Sequence, residues 1–324
     1  MKLQVAKKYW CAGLALAATV AGLLAVPTHI QAQEKDLPAV TIPDRANNEN
    51  HKKEPFRMIG NLWWVGHSQV GSVLIKTSAG YIMIDTTSTK ESPWVRENIE
   101  KMKINPHDIK IILNSHTHEE HMGGFPMFKE WTGATIYMSK LAADEVATGG
   151  KTDFREDGSE QYKPFKADKI VNDGDKVTLG DVTLTAHLTP GHTKGCTTWT
   201  TTVEEDGKKY NVVFFCGMAT AGIDRAPLFD NPKYPNIIAD YQATFTKLRK
   251  LPCDVWFYPR ATTLRLQEKE ERLKKGEKPN PFVDPKGCQW YIDEYEYEFT
   301  DQLSQQLRVR AAKAEKEFLT KPSN

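Results

Sequence analysis

Positions 116–121 read His-Thr-His-Glu-Glu-His, three imidazoles and two carboxylates in six places. They follow closely on Ile109–Leu113, a β-branched run that is apolar apart from Lys110. Such a run predicts a strand buried on both faces, which needs layers of structure above and below it. A strand that stops there and turns into a helix throws successive side chains in different directions. His116 and His118 can then reach one metal ion, while Glu120 and His121 point towards a neighbouring one. Imidazole nitrogens bind zinc at about 2.0–2.1 Å and carboxylate oxygens at a similar distance, so a cluster this dense supplies most of a metal site.

A second motif complements the first. Thr189-Pro190-Gly191-His192-Thr193 closes the strand expected over Val182–Leu188. Proline and glycine set His192 on a tight turn, where a ligand from a distant segment completes a three-histidine site.

Elsewhere the pattern predicts strands over Asn61–Gly66, Val70–Thr77 and Tyr81–Asp85, bounded by Gly60, Gly66 and Gly80, then a helix over Glu91–Lys103. After the central strand come a helix at Met122–Glu130, a strand at Thr135–Met138 and a helix at Leu141–Ala147. Further strands are expected at Lys176–Leu179, Val182–Leu188, Thr197–Val203, Tyr210–Cys216 and Val255–Tyr258, with helices at Tyr241–Leu251 and, amphipathic, at Asp293–Glu317. Asp36–Phe56 reads as a polar arm, Gly149–Lys166 as a long loop, and the charge run Gln267–Lys278 as a solvated helix face or turn. Strands then helices, twice over, predict an α/β fold of two packed sheets with helices outside. With 43 Lys and Arg against 42 Asp and Glu, the net charge of +1 gives no electrostatic reason for a nucleic acid or an acidic membrane as partner.

Lys2, Lys7 and Lys8 precede the uncharged run Ala12–Val26, Pro27 and the small residue Ala32. This is the pattern of a secretory signal peptide over residues 1–32, leaving 33–324 as an exported chain with no other segment apolar enough to span a bilayer. Cys196, Cys216, Cys253 and Cys288 then form an even set in an oxidising compartment, with three possible pairings. The two nearest-neighbour pairs, Cys196 with Cys216 and Cys253 with Cys288, are favoured.

The stretches DIKIILNSHTHEEHMGG, LTPGHTKGCTTW, YQATFTKLRKLPCDV and NPFVDPKGCQWYIDEYEYEF resemble the metallo-β-lactamase superfamily, and within it the third subclass of zinc β-lactamases. The resemblance runs from about Asn61 to the C-terminal helix. It implies an αββα sandwich in one catalytic domain, a periplasmic location, a Cys253–Cys288 bridge, and opening of a β-lactam ring by a zinc-bound hydroxide. His116, His118 and His192 match the family's first zinc site. The second site departs from it: Glu120 stands for aspartate, Arg260 for a histidine, and Met218 for a serine or a bridging aspartate. No histidine follows His192 anywhere in the chain. Thr220 resembles a position that holds a substrate carboxylate, and the Gly149–Lys166 loop is expected to overhang the cleft.

A guanidinium stays protonated and cannot ligate a metal. Arg260 therefore either places a fixed positive charge where a second zinc would sit, with Glu120 accepting a proton, or only pairs with Glu120 and holds an empty half-site shut. Loss of a second zinc's support for the leaving group costs about 3–4 kcal/mol, or 10²–10³ in rate, if it equals one oxyanion donor. The expectation is one zinc, a small β-lactam substrate, and weak or narrowed activity. The alternatives are a superfamily hydrolase acting on a lactone or thioester, kept open by Asp224, and a zinc-retaining binding protein without turnover.

Overall fold

A computed structural model describes residues 51–155, 161–220 and 226–320. The expected leader over 1–32 and most of the polar arm lie outside the described residues, as does Asp224.

Seven strands form the first sheet, in sequence order: β1 (Phe56–Ile59), β2 (Leu62–Trp64), β3 (Val73–Thr77), β4 (Gly80–Ile84), β5 (Ile109–Leu113), β6 (Thr135–Ser139) and β7 (Lys169–Val171). The first four are an antiparallel meander, whereas β4 to β7 run parallel. Parallel neighbours need crossovers, supplied by α1 (Ser92–Lys101), by α2 (Glu119–Met122) with α3 (Phe125–Thr132), and by α4 (Lys140–Thr148). The second sheet has the order β12-β11-β10-β9-β8. Its strands are β8 (Lys176–Leu179), β9 (Val182–Leu188), β10 (Thr197–Glu205), β11 (Lys208–Phe214) and β12 (Val255–Phe257). Only β12 is parallel to its neighbour, reached through α5 (Ile237–Leu248). The chain ends in α6 (Leu266–Lys274) and α7 (Pro285–Thr320).

Strand alternation explains the layering. On β3 and β4, Val73, Ile75, Ile82 and Ile84 enter the large core with Leu184, Trp199 and Val212 of the second sheet. Leu74 and Met83, between them in sequence, face the opposite side and meet Val95, Ile99, Phe125 and Phe128 of α1 and α3. Beyond the second sheet, Tyr291 of α7 packs against Phe215 and Trp256, with centroids 4.8 and 5.3 Å apart, and Phe299 stacks on Tyr241 of α5. This is the expected αββα sandwich. Disulfides join Cys196 to Cys216, across the base of β10 and β11, and Cys253 to Cys288, between β12 and α7.

Five elements differ from the sequence reading. β1 and β7 are additional strands, too short to show a period. Helix Met122–Glu130 is instead two helices, because Gly123 and Gly124 pack tightly: a Cβ on either would lie 2.5 Å or less from Thr89 N or from the Ser92 side chain. The charge run is not merely a solvated face. α6 buries Lys269 and Glu270, the first 2.9 Å from Asp284 and the second paired with Lys53 and Lys274. Finally, α7 begins at Pro285, and it loses its buried side after Gln306, every residue of 307–320 being exposed.

Candidate metal centre

The strand β5 delivers the first motif to the seam between the sheets. Buried Asn114 and Ser115 follow it and are tied to the second sheet by Trp199 Nε1, which donates to Asn114 O at 2.9 Å, and by Thr197 N, which donates to Ser115 O at 2.8 Å. His118 is the N-cap of α2 with extended backbone, so His116 and His118 lie before the helix while Glu119, Glu120 and His121 lie within it.

His192 arrives from the other sheet. Gly191 takes φ +144°, a conformation that L side chains rarely adopt, and a Cβ there would lie 2.8 Å from the Tyr241 ring. On the far side, a Cβ at Gly217 would lie 2.0 Å from Cδ2 of His192. Gly191 thus lets the turn close on Tyr241, and Gly217 leaves the room that the imidazole fills.

His116, His118 and His192 bring ligand atoms within 4.8 Å of one another, and they are the only such group among the described residues. Their hydrogen bonds fix the tautomers. Ser115 Oγ donates to Asp85 Oδ2 at 2.6 Å, so it accepts from His116 Nδ1 at 2.9 Å. His192 Nδ1 donates to Ala219 O at 2.6 Å. In both rings the proton is on Nδ1 and the Nε2 lone pair is left for a ligand. Nε2 of His116 and Nε2 of His118 are buried without any hydrogen-bond partner, an arrangement that costs free energy unless a cation occupies the gap. Burial first, and then the neighbouring positive groups, hold the His116 and His118 imidazoles well below the usual range, while burial brings His192 to about 4. Neutral imidazoles with converging lone pairs fit a divalent metal such as zinc.

The other expected residues take different places. His121 lies outside the three-histidine group; its ring is 4.2 Å from that of His116, its Nδ1 is 4.0 Å from Asp85, and burial lowers it to about 3. Glu120 is paired with Arg260 Nη2, their side chains being 18% and 33% exposed. Arg260 is aimed there by backbone: Gly71 N donates to Pro259 O at 2.7 Å and Ala261 N to Gln69 O at 2.8 Å. Desolvation opposes the charge on Arg260, but Glu120 and Tyr258 outweigh it and raise the pKa. Met218 is buried in the apolar core. Thr220 donates through both N (3.0 Å) and Oγ1 (2.9 Å) to Glu298 Oε1, so the hydroxyl expected to meet a substrate carboxylate here meets one of the chain's own. Of the Gly149–Lys166 loop, residues 156–160 lie outside the described residues; the rest folds back on α4 through Phe165 N, 3.2 Å from Val146 O.

Sequence reasoning missed Asp85, Ser115 and Glu298. Asp85 is fully buried, and burial pushes its carboxyl up to about 7 against the hydrogen bonds from Ser115. Its signal was faint: one acidic residue closing an apolar strand.

Residues 65–204 match the metallo-β-lactamase superfamily. The FEZ-1 metallo-β-lactamase of Legionella gormanii is 36% identical, covering 80% of this chain and 99% of its own, with a TM-score of 0.76. The chain belongs to the metallo-β-lactamase superfamily. BJP-1, a subclass B3 metallo-β-lactamase of Bradyrhizobium japonicum, is 35% identical over 80% of this chain and 97% of its own, with a TM-score of 0.74. A Cronobacter sakazakii metallo-β-lactamase with a HARLDQ motif is 33% identical over 79% of this chain and 96% of its own, at a TM-score of 0.74. A Burkholderia pseudomallei metallo-hydrolase is 29% identical over 99 residues, 29% of this chain and 32% of that protein, so the chain spans about a third of that relative's length. The three-histidine group thus fits a metal site of the kind typical of subclass B3 zinc enzymes.

Proposed function

We propose that the protein is an exported hydrolase that holds one zinc ion on His116, His118 and His192 and opens β-lactam rings, acting in the periplasm. The observation that carries the reading is the convergence of three neutral imidazoles, two of them with the tautomer fixed, beside a guanidinium–carboxylate pair. The substrate class rests on the metallo-β-lactamases that match over nearly their whole length. Zinc in a three-histidine site would supply Lewis acidity and a water acidified to about 7. On this reading Glu120, paired with Arg260, takes up a proton. Arg260 stands beside it as a fixed donor for negative charge that develops on a leaving nitrogen. Ser115 and Ala219 O keep the rings of His116 and His192 in register.

One observation favours a second reading, hydrolysis of an uncharged lactone or thioester: Thr220 faces the Glu298 carboxylate, which disfavours a carboxylate-bearing substrate nearby.

The test is hydrolysis of a penicillin, a carbapenem, a lactone and a thioester by residues 33–324 with zinc, beside a chelated control. Chelator-sensitive β-lactam turnover at one zinc per chain is expected. Turnover of the ester panel alone selects the second reading. A folded, zinc-loaded sample inert towards all four would leave a zinc-retaining binding protein, and two tightly bound zinc ions would end the single-metal proposal.

A further inference from the structure

One peptide group links the metal centre to the last helix. The Ala219 carbonyl accepts from His192 Nδ1 at 2.6 Å and from the Tyr241 hydroxyl at 3.0 Å. The N–H of the same peptide, on Thr220, donates to Glu298 Oε1 at 3.0 Å, and the Thr220 hydroxyl adds a second donor at 2.9 Å. The order is imidazole, carbonyl, amide, carboxylate. Each peptide carries a dipole of about 3.5 D, and here its negative end meets the histidine and its positive end meets the carboxylate.

We infer that Glu298 is a positioning residue for the metal, acting on His192 through the Ala219–Thr220 peptide. Metal-bound histidines commonly donate their second N–H to a carboxylate, which orients the ring and raises its basicity as a ligand. In this chain the carboxylate stands one peptide further out. Its charge polarises the amide, makes the carbonyl a stronger acceptor, and so draws the Nδ1 proton away from the ring. The loop is otherwise set for this role. The Cys196–Cys216 bridge anchors its start, the Tyr291 hydroxyl donates to Cys216 O at 3.3 Å, and Gly217 leaves room for the imidazole. Glu298 is half-buried on α7, with Phe299 beside it in the core, so the carboxylate is held by the fold. Glu298, 78 positions from the Thr220 amide that it accepts from, thereby tunes a ligand that it does not touch.

The inference rests on the three-histidine metal reading, and zinc affinity separates the two. Affinity is measured by competition with a chromophoric chelator on residues 33–324, alongside the thermal midpoint of the metal-free protein. Glu298→Gln keeps an acceptor for Thr220 and removes only the charge. It is expected to weaken zinc binding about tenfold, within the range for outer partners of metal ligands, at an unchanged midpoint. Glu298→Ala removes acceptor and charge together and is expected to lose more. Thr220→Ala, which keeps the backbone donor, is expected to bind as the wild type does. Wild-type affinity in Glu298→Gln overturns the inference and leaves the metal site standing, even where Glu298→Ala is weakened or fails to fold. Wild-type protein that binds no zinc overturns both.

Discussion

Gly217→Ala isolates the placement of His192 better than any change to the ligands themselves. The backbone at 217 is not left-handed, so the added methyl acts by volume alone. An ideal Cβ would sit 2.0 Å from Cδ2 and 2.5 Å from Nε2 of His192. Carbon atoms rest at about 3.5–4.0 Å, so the ring must retreat by about 1.5 Å. The hydrogen bond of 2.6 Å from His192 to Ala219 cannot follow such a shift, because its acceptor lies only two residues from the new methyl. Metal–ligand distances tolerate about 0.2 Å. His192 is therefore lost as a ligand, and zinc affinity and any zinc-dependent turnover should each fall about 10²-fold. Overpacking costs about 1–3 kcal/mol of stability and leaves the fold intact. Chelator competition reads the affinity, and thermal unfolding of the metal-free variant reads the stability. Gly133→Ala is the control: it is strained at φ +73° with nothing within 4 Å of its Cβ, so it should lose stability without losing zinc. Wild-type zinc affinity in Gly217→Ala would refute the placement of His192 in the three-histidine group.

Two further outcomes follow from the same centre. In the metal-free protein His192 titrates at about 4 and His121 at about 3, against 6.5 for an unperturbed imidazole, so between pH 6.5 and about 4 the unfolded chain binds more protons than the folded one. Stability present above pH 6.5 is thus lost as pH falls through this window, Asp85 offsetting part of it because its carboxyl is raised from 3.8 to about 7 and is protonated first in the folded state. Urea midpoints that stay level across the window would contradict buried neutral histidines. Arg260→Ala should keep zinc on the three histidines and cut turnover about 10²–10³-fold, whereas Arg260→His, which replaces a fixed cation by a neutral ligand, should raise bound zinc from one to two per chain. Atomic emission on the purified proteins decides, and an unchanged stoichiometry in Arg260→His would remove the charge argument.

What was legible in the sequence followed from chemistry carried by rare residue types. Three histidines near one strand end and one on a Thr-Pro-Gly turn announce themselves, and the meeting of His116, His118 and His192 follows from the layered fold. The pairing of Glu120 with Arg260 was readable too, as one of two meanings of an arginine where a ligand was expected. The outer contacts were not readable. Ser115, Ala219 and Thr220 act through a hydroxyl or backbone atoms that any sequence offers, and Glu298 reaches its partner across 78 positions of chain. β7 has three residues and β1 four, too few for alternation to stand out. The burial of Lys269 within a charge run was hidden for the same reason as Glu298: its partner, Asp284, is set by tertiary packing.

A guanidinium beside one metal divides the labour differently from two metals. Arg260 stays protonated at any pH at which the protein is folded, is anchored by backbone bonds to residues 69–71, and is beyond the reach of a chelator. It offers one charge and a planar set of donors, enough to bind an oxyanion or steady a leaving nitrogen, but it cannot acidify water. Under the proposed function, all nucleophile generation then falls to the three-histidine group. On that reading the partners that hold its rings, Asp85 through Ser115 on His116 and Glu298 through a peptide on His192, would have no second metal to compensate for them. Zinc titration of the metal-free protein should accordingly restore activity in one phase that saturates at one equivalent. A second phase of activation beyond that point would mean that Arg260 yields its place to a metal, and the division of labour argued from its charge would be wrong.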